Sequence, residues 1–398
     1  MRAIFARRLV TPKGEYLRGK EMNSVEEMEN VYVVFDERIV DVTREKPGVE
    51  VVAEVDLLTP GFVDPHTHIP FYGFRDREFV MRAQGAKYVD ILKAGGGIHS
   101  TVERVRRANE DDLLSFNTRF ALEMARRGVT TLEGKSGYGL EMESELKQLR
   151  VLRRMNEALD IDIVPTFLGA HAVPKGRDAW EYLEELVMSF GEVKKLASFV
   201  DIFVDEGAYT VEQAEWYLKK AKEYGFEIRL HADEIKRTGA ARLGVELGAR
   251  SVDHLLKISD GDVEMIASSD TVALMMPGTS FYLNEGYAPA RKLVDAGAIV
   301  ALGSDFNPGS CAINDPTFIM HLAVSRLKMS PQEALTAFTL NSAYVLNLSR
   351  EAGSIEEGKR ADMVGWSVPT LEAVPYLPAH DTVEIVVKSG KVIWKNRF

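Results

Sequence analysis

His66-Thr67-His68 places two imidazoles two residues apart, directly after the apolar run Gly61-Phe62-Val63-Asp64-Pro65. On a strand, residues two apart project to the same side, so both rings can reach one ion. Alone, such a pair is weak evidence, because many histidines are surface residues or satisfied core residues. Three later residues add weight: His231, His254 and Asp305 each close an apolar, strand-like run. Imidazole with carboxylate suits Zn2+ or Fe, and an incomplete ligand set leaves a position for water. Metal-bound water ionises near neutral pH and becomes a nucleophile. Hydrolysis is the chemistry these residue types would perform.

Residues this far apart need a scaffold that gathers strand ends. Candidate strands begin near Gly61, Thr130, Ile163, Val200, Glu227, Ser251, Thr271 and Ile299. Helical stretches with Leu or Ala at three and four spacing lie between them, such as Glu143 to Leu159, Val211 to Tyr224 and Ala240 to Leu247. Eight β-then-α units predict a parallel, TIM-like (β/α)8 barrel, whose active site lies at the C-terminal strand ends. Those ends read His66 and His68, Ser136 to Tyr138, His171, Glu206, His231 with Glu234, His254, Pro277, and Asp305 with Asn307. Five of the eight histidines close barrel strands, which random scatter would rarely produce. A doubly wound sheet is the alternative, and the count of eight argues against it. Residues 1–60 and 350–398 read as short strands and turns: Ile4 to Leu9, Val31 to Phe35, Val49 to Val55, Ala361 to Trp366, Thr382 to Val387 and Val392 to Trp394. Both ends are expected to build one small β-sandwich domain around a catalytic barrel spanning 61–349.

Bulk properties exclude several classes. A net charge of −11 over 398 residues disfavours nucleic acid and anionic membranes as partners. No segment reaches the ~18 apolar residues of a membrane span. The start, MRAIFARRLV, lacks the long apolar stretch and cleavage site of a leader and reads as a strand. The single cysteine, Cys311, cannot form an internal disulfide, which fits a reducing compartment and a cytoplasmic location. A small packing residue is preferred to a nucleophile for Cys311.

The strings PGFVDPHTH, HADE, DHL and LGSDFNPG resemble the amidohydrolase superfamily. Within it, TLEGKSGYGL, TFLGAHAVP and AGGGIHSTV are similar to the imidazolonepropionase family. The likeness runs from about residue 60 to about residue 365, and IEEGKRADMVGW fits the end that closes the superfamily's small β domain. The resemblance implies a metallo-dependent hydrolase barrel with one zinc or iron ion held by His66, His68, His231 and Asp305. In related binuclear enzymes a lysine ending the fourth strand bridges two metals. Here that strand ends in Val204-Asp205-Glu206-Gly207, which supports one metal. The implied substrate is 4-imidazolone-5-propanoate, a cyclic amide opened to N-formimidoyl-glutamate in histidine breakdown. Glu234, His254 and Asp305 would share the proton transfers, with no division of roles visible in the sequence. Arg75 looks like the clamp for the propionate tail, a task suited to a bidentate guanidinium. Tyr138, His171 and Glu234 look like ring and tail contacts, and Asn307, Gly309 and Ser310 look like donors from the last loop. A homodimer is usual for the family.

Each of the pocket residues has a plainer reading. An arginine in Phe74-Arg75-Asp76-Arg77-Glu78 is ordinarily a solvated surface residue, Tyr138 a turn aromatic, and His171 a core histidine. His99, His321 and His380 are left as structural. Pro70, Tyr72 and Phe74 are bulkier than the family pattern, Gly134 is smaller, and Tyr376 to Thr382 departs from it. Gly128 to Ser136 mimics a phosphate loop, but five residues separate its glycines where four are needed. Ala94-Gly95-Gly96-Gly97 lacks a dinucleotide fingerprint. Rival functions are another amidohydrolase, such as a heterocycle deaminase, or a non-catalytic barrel scaffold; the second conflicts with a complete donor set.

Overall fold

The computed structural model describes residues 1–86, 90–91 and 95–396; Ala94 of the glycine-rich run lies outside them. Two sheets organise the chain. Seven strands, β1 (Arg2–Thr11), β2 (Glu26–Phe35), β3 (Ile39–Thr43), β4 (Glu50–Pro60), β13 (Met363–Trp366), β14 (Val383–Lys388) and β15 (Lys391–Lys395), form one mixed sheet in the order β15-β14-β13-β4-β1-β2-β3. Among the described residues of this sheet, only β1 and β4 pair in parallel. Ile39–Thr43 is a strand that the sequence pattern did not mark.

The period-2 alternation of this sheet divides its residues between two cores. Ile4, Val33, Phe35, Leu58, Met363 and Ile385 pack in one cluster, while their neighbours Leu57, Val364, Trp366 and Val386 join the barrel core. The first cluster takes residues from both halves of the sheet. A Cβ on Gly390, in the β14–β15 turn, would overlap the carbonyl of Asp36, beside β3. The sheet is therefore curled on itself, a sandwich made from one continuous sheet.

The second sheet is the barrel: β5 (Phe62–Asp64), β6 (Val129–Lys135), β7 (Asp162–Ala170), β8 (Phe199–Val204), β9 (Glu227–Ala232), β10 (Ser251–His254), β11 (Val272–Met275) and β12 (Val300–Leu302). Each strand pairs in parallel with the next. The predicted helices form at 142–158, 211–223 and 240–246. Thr210 starts the second of these with a capping box to Gln213. The phosphate-loop mimic lies on strand β6, as a continuous run of buried residues.

Closure occurs beyond the ends of β5 and β12. Thr67 bridges Phe306 in parallel. Asp305 N donates to His66 O, and His68 N donates to Phe306 O, both at 2.9 Å. The seam that shuts the barrel thus carries three candidate metal donors. Trp366, fully buried, joins the two sheets: its indole donates to Thr59 Oγ1 at 2.9 Å and its ring meets Phe62 edge-on.

Candidate active site

Thr67 points away from the barrel interior and donates to Glu133 O at 2.6 Å, so His66 and His68 on either side of it point inward. His68 Nε2 lies 3.2 Å from Asp305 Oδ1 and 3.4 Å from His231 Nε2, and His66 Nε2 lies 3.5 Å from the same Asp305 oxygen. Two overlapping sets, His66–His68–His231 and His66–His254–Asp305, bring their donor atoms within 4.8 Å of one another. Asp305 (φ +53°) and His254 (φ +77°) sit in the left-handed region. A side chain there costs roughly 1–3 kcal/mol, a strain that persists where the surroundings over-determine it. Thr279, on the helix Pro277–Leu283, donates to Asp305 Oδ2 at 2.5 Å. That leaves Oδ1 toward the imidazoles.

A layer of buried charge that the strand pattern did not reveal lies beneath the donors. His66 Nδ1 meets Asp253 Oδ2 at 2.7 Å, and His231 Nδ1 meets Asp201 at 3.1 Å. Lys135 Nζ bonds Glu133 and Asp201, each at 2.9 Å. Arg229 bonds Asp253 at 2.9 Å and also pairs with Glu133. All five charged residues are fully buried. With Nδ1 committed to a carboxylate, each imidazole presents its Nε2 lone pair to the interior. Burial, and next the charge of Lys135, holds His66 far below its ordinary pKa. Against burial, the His68 hydrogen bond and the His254 charge hold Asp305 below the usual carboxylate range. Both shifts keep donors in the deprotonated form a metal requires.

Glu234 stands 3.5 Å from His254 Nδ1. Burial, then the neighbouring Asp305 carboxylate, pushes Glu234 up to about 8. Burial also lowers His254 to about 3. Near neutral pH the pair is a protonated acid beside a neutral imidazole, a donor and an acceptor. A cavity of about 110 Å3 opens along Glu234 and Thr279. Glu206 does not join them: its side chain is exposed and pairs with Lys236. Asp205, the residue before it, is buried instead and accepts from the backbone of Glu234, Ile235 and Lys236.

On the opposite flank His171 stacks on His68 with centroids 5.0 Å apart, and its Nδ1 meets Gly137 O at 3.0 Å. Tyr138 is buried beside both rings. Burial pushes its phenol up, with smaller opposing influences from Arg75 and Asp305. Arg75 is nearly buried rather than solvated. Its Nε and Nη2 donate to Glu78 Oε2 at 2.9 and 2.7 Å, and a Cβ on Gly309 would collide with Nη1. Asn307, Gly309 and Ser310 form the last barrel loop, with Gly309 against Arg75. Asn307 Oδ1 accepts from Gly309 N at 2.8 Å and Ser310 N at 2.7 Å, and Nδ2 donates to Ser310 Oγ at 2.9 Å. Asn307 thus organises its own loop. Gly134 is small because Leu152 fills the space a Cβ would take. Cys311 is buried, with its thiol donating to Ser304 O at 3.3 Å, as a packing residue.

The donor set fits a divalent metal. His66 Nε2 is buried without any hydrogen-bond partner, at the point where the other donors converge. A buried polar atom left unpaired is costly, and a cation is the group that satisfies an inward lone pair among imidazoles and a carboxylate.

Residues 57–393 match the Amidohydrolase family. An imidazolonepropionase from Kosmotoga olearia is 46% identical over 97% of this chain and 96% of its own length. One from Bacillus thuringiensis is 43% identical, covering 95% and 92%, and one from Caldanaerobacter subterraneus is 41% identical, covering 96% and 95%. Among solved structures, a zinc-bound adenosine deaminase from Xanthomonas campestris superposes with a TM-score of 0.75 at 19% identity, over 98% of this chain and 92% of that one. An atrazine chlorohydrolase variant from Arthrobacter aurescens gives 0.77 at 16% identity, over 100% and 96%. At such identities these structures speak for the fold alone. The family match spans most of the chain and the donors sit at the ends of the barrel strands: this chain belongs to the amidohydrolase family.

Proposed function

We propose that this chain is an imidazolonepropionase, hydrolysing 4-imidazolone-5-propanoate to N-formimidoyl-L-glutamate in histidine breakdown. One observation carries the reading. The metal donor set converges with Glu234 3.5 Å from His254, and Tyr138 and His171 pack against His68 on the other flank. Nearly full-length relatives of that name support it. His66, His68, His231 and Asp305 would hold one zinc or iron ion. Such an ion lowers the pKa of a bound water from 15.7 to about 7 and polarises a carbonyl oxygen.

The chain's own groups divide the remaining work. His254, held neutral, accepts the proton released as water adds to the ring carbonyl; Asp305 orients that water. Glu234, held protonated, donates to the ring nitrogen as the C–N bond breaks. One water is consumed, the carbonyl carbon becomes a carboxylate, and the formimidoyl group stays on the other nitrogen. Arg75 binds the propionate tail, while His171 and Tyr138 wall the ring. Asn307 holds the Gly309–Ser310 loop against Arg75. On the same reading the chain divides at 60/61 and 349/350 and works as a cytoplasmic homodimer. The lone buried thiol supports a reducing compartment.

The test is incubation of purified, metal-loaded enzyme with fresh imidazolone propanoate. Loss of the ultraviolet band should accompany formation of formimidoyl-glutamate without free ammonia. Stoichiometric ammonia release would instead mark a deaminase.

A further inference from the structure

Asp205 follows the last residue of β8 and is buried. Its Oδ2 accepts from Glu234 N at 2.9 Å and Ile235 N at 2.7 Å, and its Oδ1 accepts from Lys236 N at 3.0 Å and Glu206 N at 2.7 Å. One carboxylate thus binds three consecutive backbone donors of the loop that carries Glu234. Few other arrangements compensate so fully for burying a carboxylate.

The same loop is pinned on its far side. Asp233, in the left-handed region at φ +51°, accepts from Thr238 N at 2.5 Å, Gly239 N at 2.9 Å and Ala241 N at 2.9 Å. Asp233 ties the loop forward to its own helix; Asp205 ties it sideways to the neighbouring strand. On the side of His254, Lys257 N donates to Asp233 O at 2.9 Å, while the tie from Glu206 to Lys236 is an exposed pair, and such pairs hold little. Asp205 is therefore the side chain that fixes, from the β8 side, where the backbone of Glu234 stands as it faces His254.

We propose that Asp205 is a positioning residue for proton transfer, holding the Glu234 carboxyl against His254 through the backbone of residues 234–236. In this chain the end of the fourth barrel strand supplies that anchor rather than a metal donor. The inference rests on the reading of Glu234 as the acid for ring opening.

A double-mutant cycle in metal-loaded, full-length enzyme tests it, with imidazolone propanoate as substrate and amide hydrogen exchange as a second readout. Asp205→Asn should keep wild-type metal content, change KM by less than about threefold and lower kcat by roughly 10- to 100-fold, the scale of a misplaced reacting group. In a Glu234→Gln background the same substitution should cost less than about threefold, because the group it positions is already disabled. Exchange of the 234–236 amides should accelerate. An undiminished kcat, an equal loss in both backgrounds, or unchanged exchange at 234–236 would overturn the proposal. If Asp205→Asn does not fold, Asp205→Glu, which keeps the charge on a longer arm, is carried through the same cycle and judged by the same outcomes. Absence of turnover by the wild-type enzyme would overturn the proton-transfer role together with the function it rests on. Amide exchange would still report separately whether Asp205 anchors the loop.

Discussion

The two flanks of the cleft are built on different principles. On the metal side the candidate donors stand at strand ends; buried carboxylates hold His66 and His231 from below, and Asp305 and His254 sit in left-handed backbone. On the tail side the groups come from loops and one helix start. Arg75 caps the helix Asp76–Ala83 without a side-chain capping bond, and Glu78 holds its guanidinium. Glu78 reaches onward to Gly97 N at 3.0 Å, while Arg82 Nη1 donates to Gly309 O at 2.7 Å. On the proposed reading the scaffold dictates the chemistry, and side chains on loops dictate which molecule receives it. Substitutions on the first flank should act on metal and kcat; those on the second should act on KM.

The largest effects belong to the donors. His66→Ala and Asp305→Asn should each deplete metal and lower turnover on the order of 10⁴-fold or more, since unassisted water keeps a pKa near 15.7. Elemental analysis of the wild type should return about one equivalent per chain; two tightly held equivalents in active enzyme would break the mononuclear assignment. Next come the proton-transfer groups. His254→Ala and Glu234→Gln should retain metal and lose about 10²–10⁴-fold in kcat. A near-normal kcat at saturating substrate in either variant would remove that residue from the mechanism.

The same contrast explains what the sequence made legible. Strand ends are local: an apolar run followed by His or Asp marks both the element and the donor, so His66, His68, His231, His254 and Asp305 were readable with the barrel that gathers them. Ile39–Thr43 was missed because this short strand is only partly buried, with a charged residue in its middle. The charges under the site carried a weaker signal. Glu133 and Lys135 lie two apart on an apolar strand, and Asp253 directly precedes His254. Charged residues within strands that are otherwise buried announce partners, but pairing Lys135 with Asp201 or Arg229 with Asp253 requires the fold. Glu78 was hidden differently, inside a charged stretch that looks solvated until the helix brings its carboxylate back to Arg75. Asn307, Gly309 and Ser310 were named by resemblance, while their bonding to one another follows from loop geometry that no spacing rule supplies.

Arg75 sharpens the comparison, because every amidohydrolase reading needs the donors and only a carboxylate-bearing substrate needs this arginine. The tail does not react, so its contact should be nearly equal in ground and transition states, and losing it raises KM more than it lowers kcat. Leaving a carboxylate unpaired in a partly buried site costs roughly 2–5 kcal/mol. Arg75→Met should impose that penalty on imidazolone propanoate and far less on a tailless imidazolone. Equal losses on both substrates would assign Arg75 to structure alone.

The smallest expected effect falls on the carboxylates that aim the imidazoles. Asp253 meets His66 Nδ1 at 2.7 Å and Asp201 meets His231 Nδ1 at 3.1 Å. Neither touches the interior where donors converge, so neither should be required for chemistry once metal is bound. Their task is to fix which ring nitrogen carries the proton and to raise the basicity of the other. Losing such a partner costs about 10–100-fold in metal affinity or activity. Asp253→Asn keeps the shape but pairs with Arg229, which it no longer neutralises; Asp201→Asn does the same to Lys135. Each should weaken metal binding by about 10- to 100-fold in a chelator competition, and excess metal should restore most of kcat. The closer His66 contact predicts the larger loss for Asp253→Asn. A deep fall in kcat that excess metal cannot restore would mean that the buried charges shape the reaction itself, and the division between a scaffold for chemistry and loops for recognition would need a third part.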